Sequence, residues 1–97
     1  MPKGYIIARV DVTDEQAYAH YAAMATPVIK HFGGRVLVRG GACRRLEGEG
    51  RARNVVIEFD SLEQAERYYH SSEYAQARAA RIGAGIADFI AVEGAPD

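Results

Sequence analysis

The stretch Asn54–Tyr69, NVVIEFDSLEQAERYY, changes its period in the middle, and that change decides the fold. Its first six residues are rich in β-branched and aromatic side chains and read as a strand. With period two, Val55, Ile57 and Phe59 share one face, and Asn54, Val56 and Glu58 share the other. Ser61 followed three residues later by Gln64 is a capping box, which opens a helix over Leu62–Tyr69. Ser71-Ser72-Glu73 reopens a helix through about Ile82, Gly83 and Gly85 end it, and Ile86–Val92 reads as the last strand.

Upstream, Cys43–Arg53 mixes Arg44, Arg45, Glu47, Glu49, Arg51 and Arg53 with Gly48 and Gly50, the composition of a solvated hairpin loop. Arg35–Arg39 before it is a strand that Gly40-Gly41 stops or bulges. Tyr5–Val12 is another, with Ile6, Ala8, Val10 and Val12 on one face and Tyr5, Ile7, Arg9 and Asp11 on the other. Thr13 with Gln16 forms a second capping box, opening a helix that Gly33-Gly34 ends. Its apolar arc holds Ala17, Tyr21, Met24, Ala25, Val28 and Phe32, and Pro27 inside it is expected to kink the helix near residue 23 or split it. The order is β-α-β-β-α-β. The expected fold is therefore α+β and ferredoxin-like, an antiparallel sheet with its helices on one face, in one domain over residues 1–97.

Composition narrows the function classes. Twelve basic against 13 acidic residues give a net charge of −1, without the basic excess of a polyanion binder. The β-α-β-β-α-β order also fits an RNA-recognition module, but the open face of the third strand shows Asn54, Val56 and Glu58 and no ring on which a base could stack. No nucleic-acid partner is expected. No apolar stretch approaches the ~18 residues of a membrane span, and the N-terminus lacks the apolar run of a signal peptide. The single cysteine, Cys43, cannot form an internal disulfide, which fits a reducing compartment and a cytoplasmic location.

The sheet face away from the helices is half apolar and half charged. It carries Ile7, Val56 and Ile90 beside Arg9, Glu58 and Asp88, and Arg35, Leu37 and Arg39 are placed there too. Such a patch is too apolar to leave wet, so a second copy is expected to stack on it as a homodimer. The charges then need partners: Arg9 with Glu58 on neighbouring strands, and Arg39 with Asp88 across the dimer. A pocket is expected between the sheet and the first helix, lined by Tyr21, Met24, Val28 and Phe32, with His20 and Arg39 as polar anchors for a small organic ligand. His20 is the candidate acid or base, histidine being the side-chain type that changes charge near neutrality. His20 and His31 are eleven residues apart, roughly 16 Å along a helix, and cannot share a metal. With no metal-ligand spacing and no phosphate-binding glycine loop, neither metal nor cofactor is expected.

The segments GYIIARVDV, AYAHYA, GGRVLVRGG, VVIEFDS and YYHSSEY together resemble the domain of unknown function 1330 family, over residues 4–94. The resemblance implies a ferredoxin-like protomer in a dimeric α+β barrel, and no established activity. The superfamily's more distant members include cofactor-free monooxygenases, haem-degrading enzymes and muconolactone isomerases, a likeness of fold and not of function. The family usually has proline where Ser72 and Asp60 stand; Ser71 can still cap the following helix. Two readings stay open: a homodimer whose pocket performs cofactor-free catalysis, or a non-catalytic dimer that binds a small metabolite. An enzyme needs an ionisable group with a shifted pKa inside the pocket; a binder needs only shape and one or two anchors.

Overall fold

The computed structural model describes residues 2–96. In chain order the elements are β1 (Gly4–Val12), α1 (Glu15–His31), β2 (Arg35–Arg39), β3 (Arg53–Phe59), α2 (Leu62–Tyr69), α3 (Ser72–Arg81) and β4 (Gly85–Glu93). The four strands form one antiparallel sheet in the order β2-β3-β1-β4, the ferredoxin-like arrangement expected.

Local chemistry sets the helix ends. Ser61 Oγ accepts from the Gln64 N–H at 3.1 Å, and Ser71 Oγ from the Tyr74 N–H at 3.0 Å, so both serine caps form. At α1 the cap is Asp14, not Thr13: its carboxylate accepts from the Ala17 N–H at 3.0 Å. The reason lies one step outside the helix. The Thr13 and Asp14 N–H groups both donate to the Ala84 carbonyl, at 2.8 and 3.0 Å, which holds Thr13 in the turn and delays the helix by a residue. Pro27 does not split α1, which runs through it as one helix.

The apolar stripe of α1 is rotated from the expected arc. Tyr18, Tyr21, Ala25 and Ile29 are buried at its centre, while Ala17, Met24, Val28 and Phe32 are half-buried at its edges. They pack on Ile6, Ala8 and Val10 of β1 and on Ile57 and Phe59 of β3, the parity read from the sequence. Tyr68 and Tyr74 fill the space between α2, α3 and the sheet. The Tyr68 ring lies 5.3 Å from Phe59 and 4.9 Å from Tyr74, centre to centre. These tyrosines form the centre of the core.

The register across the other face places four apolar side chains in a row. Val38 pairs with Val56, Val56 with Ile7, and Ile7 with Ile90. Polar rows lie on both sides. On one, Arg35, Glu58 and Tyr5 are cross-strand neighbours; Glu58 is bonded by Arg35 and accepts from the Tyr5 hydroxyl at 2.9 Å. On the other, Arg9 faces Asn54 and Asp88. This register corrects the expected Arg9–Glu58 pair, since the two residues stand in different rows. Asp88 and Asp11 are instead joined by Arg51, at 2.8 and 2.7 Å.

The Arg51 bridge makes a testable statement. The Arg51 hydrogen bond holds the Asp11 carboxyl below the usual carboxylate range, with help from the Ala52 N–H. A depressed folded pKa contributes stability that is present above the unfolded pKa and lost as pH falls through the folded one. Both groups are solvated, so the effect on stability is small. In a carboxyl NMR titration Arg51→Gln should raise the Asp11 midpoint, and an unmoved midpoint would show that Arg51 does not hold it.

Candidate functional site

The face of the sheet under the helices is not filled everywhere. Ala8 on β1 and Ala22 and Ala25 on α1 are small where the helix crosses the sheet, so a narrow cleft opens between α1 and strands β2 and β3. Its free interior is small, about 40 Å³, and it opens into a wider mouth at the surface. The sheet side is made by Ala8, Val36, Val55 and Ile57, the helix side by Tyr18, Tyr21, Ala22, Ala25 and Ile29, and Tyr68 and Phe89 complete the lining. Thr26, Arg39 and Arg53 supply polar groups.

A one-residue irregularity brings Arg39 here. In the β2–β3 ladder Val36 pairs with Ile57 and Val38 with Val56, so Leu37 is an extra residue on β2. The extra residue reverses the parity beyond it. Val38 turns to the open face and Arg39 to the helix face, opposite Val55. This corrects the expected placement of Arg39 on the open face and removes its pairing with Asp88. At the cleft Arg39 Nη1 donates to Thr26 Oγ1 at 3.4 Å, and that hydroxyl donates to the Ala22 carbonyl at 2.8 Å.

Arg53 follows the β3 alternation. It shares the parity of Val55, Ile57 and Phe59 and faces the helices, its guanidinium 4.9 Å from the centre of the Tyr18 ring. Its Nε is buried without a hydrogen-bond partner. Deeper, the Tyr21 and Tyr74 hydroxyls share a hydrogen bond of 2.9 Å, and the Arg81 guanidinium lies 5.4 Å from the Tyr21 ring and 4.6 Å from Phe89. Burial, before any other cause, pushes the Tyr21, Tyr68 and Tyr74 phenols up, so they stay protonated and can donate.

Of the anchors expected from sequence, the cleft brings together Tyr21 and Arg39. Met24 and Val28 lie on the flank of α1 against the core and do not line it. His20 is exposed and outside the lining, and His31 is exposed at the end of α1, 4.0 Å from Glu73. Tyr18, Thr26 and Arg53 are lining residues the sequence reading missed. For Arg53 the signal was present: it continues the inward parity of β3 but was counted with the charged loop. Cys43 is exposed, 3.4 Å from the Asn54 amide. Among the described residues no three His, Cys, Asp or Glu side chains cluster as metal ligands, and no helix is long and apolar enough to cross a membrane.

The family model described as Domain of unknown function (DUF1330) matches residues 3–95. The chain belongs to the DUF1330 family. Among solved structures, this DUF1330 protein is similar to the RPA0582 protein of unknown function from Rhodopseudomonas palustris, at 19% identity and a TM-score of 0.77, covering 99% of this chain and 85% of that one. It is also similar to a candidate antibiotic biosynthesis monooxygenase from Caulobacter crescentus, at 14% identity and a TM-score of 0.63, covering 98% and 92%. A third is a dimeric ferredoxin-like protein of unknown function from Bacteroides fragilis, at 14% identity and a TM-score of 0.59, covering 94% and 95%. At these identities the likeness is one of fold. Among curated proteins none matches.

Proposed function

We propose that this DUF1330 protein is a cytoplasmic homodimer that binds a small organic molecule in the cleft of each protomer, without catalysis. The carrying observation is the cleft itself: apolar walls, tyrosine hydroxyls, and Thr26, Arg39 and Arg53 as its polar groups. That is the chemistry of a site that fixes orientation with a few anchors. Its lining holds no histidine, cysteine or carboxylate, and its buried phenols are poor bases at neutral pH.

The dimer reading rests on the row Val38–Val56–Ile7–Ile90, in which Ile90 is 55% exposed on a single chain. A second sheet stacked on it would cover about 800 Å² per partner, the size of a stable interface. In the polar rows on either side Glu58, Asp11 and Asp88 already have arginine partners within the chain, and Arg9, which has none among the described residues, needs a partner from the second copy or a wet place at the rim. A catalytic reading of the same cleft, as a cofactor-free monooxygenase or isomerase, has the fold likeness behind it.

Native mass spectrometry of protein isolated from its own host tests the proposal. The expected species is a dimer of 10.6 kDa chains carrying an added small mass. Ile7→Asp, in the middle of the apolar row, should give monomers. A wild-type monomer at micromolar concentration would remove the dimer. A bare dimer that also takes up no apolar probe would remove the ligand, and turnover of the retained molecule would favour the catalytic reading.

A further inference from the structure

We infer that the cleft selects an organic anion: a carboxylate held at its mouth by Arg39 and Arg53, with the end of an apolar body entering the slot between α1 and the sheet. This rests on the cleft being a binding site and adds the chemical class of what it takes. Three observations carry it.

The first is charge. Arg39 and Arg53 line one apolar cleft with no carboxylate in its lining, and neither joins an ion pair among the described residues. On the opposite face of the same sheet Arg35 and Arg51 find carboxylates and Arg9 does not, so what marks the cleft is two unpaired arginines side by side on one apolar slot. The two cleft arginines are diagonal neighbours, because Arg39 pairs with Val55 and Arg53 is two residues away on the same face. Such neighbours lie roughly 7–8 Å apart at Cα, near enough to repel one another and to share an anion.

The second is desolvation. An exposed guanidinium can leave its charge in water, but Arg53 Nε is buried with no partner. Nε has no surface open to an incoming group, so a carboxylate at the mouth would be held by the Nη groups and would balance the charge of a guanidinium whose inner edge is unpartnered. The third is how Arg53 is held. Its ring contact with Tyr18 fixes one side of the guanidinium. The guanidinium also lies against Gly40, where any Cβ would run into it and where φ is +63°. Gly40 therefore serves both the backbone turn and the seat of the guanidinium. The small side chains of Ala22 and Ala25 leave a shallow apolar slot with about 40 Å³ free, room for the end of a ligand whose remainder stays in the mouth.

The probes are cinnamate and cinnamamide, equal in shape and different in charge, titrated into the wild-type protein and followed by backbone and arginine side-chain NMR. Cinnamate should bind at least tenfold tighter than the amide, move the Ala22, Ala25 and Arg53 Nε signals, and lose its advantage as salt rises. Arg39→Met and Arg53→Met keep the aliphatic stems and remove the charges. Each should cut the ratio of acid to amide affinity at least several-fold, and the double variant should remove the preference for the acid. Arg39 is exposed, so its variant should fold even if the Arg53 variant does not. Equal affinity for both probes would overturn the anion inference and leave the cleft as a binding site. Binding of neither, or signals that move only outside the cleft, would overturn both.

Discussion

Raised above pH 10, the protein should lose stability steeply and unfold in one step. Tyr21, Tyr68 and Tyr74 are 6%, 1% and 0% exposed, and burial pushes all three phenols up. A group whose folded pKa lies above its unfolded value gives stability that is complete below the unfolded pKa, and that stability is lost as pH rises. The unfolded phenols release their protons near pH ~10. Above that, the native state holds about two to three more protons than the unfolded chain, and stability falls by about 3–4 kcal/mol per pH unit. A domain of this size has only about 5–15 kcal/mol to lose, and one near the lower end should unfold within about two pH units. Phenolate absorbance and far-ultraviolet circular dichroism should change together. If all six tyrosines ionised smoothly around pH 10 while the dichroism stayed native, the buried cluster would not exist in solution.

The same cluster shows what a sequence can and cannot say. The strands, their order and their faces followed from period and punctuation, because alternation along β1 and β3 is a local property. Two serine caps were legible for the same reason, since a cap is satisfied within three residues. Long-range contacts decided the rest. The Ala84 carbonyl, arriving from the far end of the chain, moves the start of α1 from Thr13 to Asp14. One extra residue at Leu37 swings Arg39 from the face where charges were expected to pair onto the face where a cleft opens. Register alone separates Arg9 from Glu58, and no reading of either strand by itself contains it. The pocket expected between the first helix and the sheet centred on Met24 and Val28, whereas the cleft runs along Ala22 and Ala25. Its polar residues were not all found, because Arg53 stands at the junction of loop and strand, where composition points one way and parity the other.

Tyr68→Ala should cost about 3–5 kcal/mol, the range for removing a large aromatic side chain from a packed core. Tyr68 is 1% exposed at the meeting point of α2, α3 and the sheet, with the rings of Phe32, Phe59 and Tyr74 at 6.3, 5.3 and 4.9 Å. No neighbour is free to move into the gap: Ala65 and Ala77 are fully buried and too short, and Phe59 is held in the β3–β1 ladder opposite Gly4. The loss is a large share of what a 97-residue domain possesses, so the variant should be partly unfolded near room temperature. Tyr68 also lines the cleft, which gives the substitution a second signature. The space it leaves is continuous with the cleft, so a small aromatic molecule such as benzene should bind the variant and restore part of its stability, as ligands of engineered cavities do. Urea unfolding of the two proteins, with and without benzene, measures both effects. A cost below about 1 kcal/mol would mean that Tyr68 is not the keystone of the packing, and that the space around it is soft enough to close.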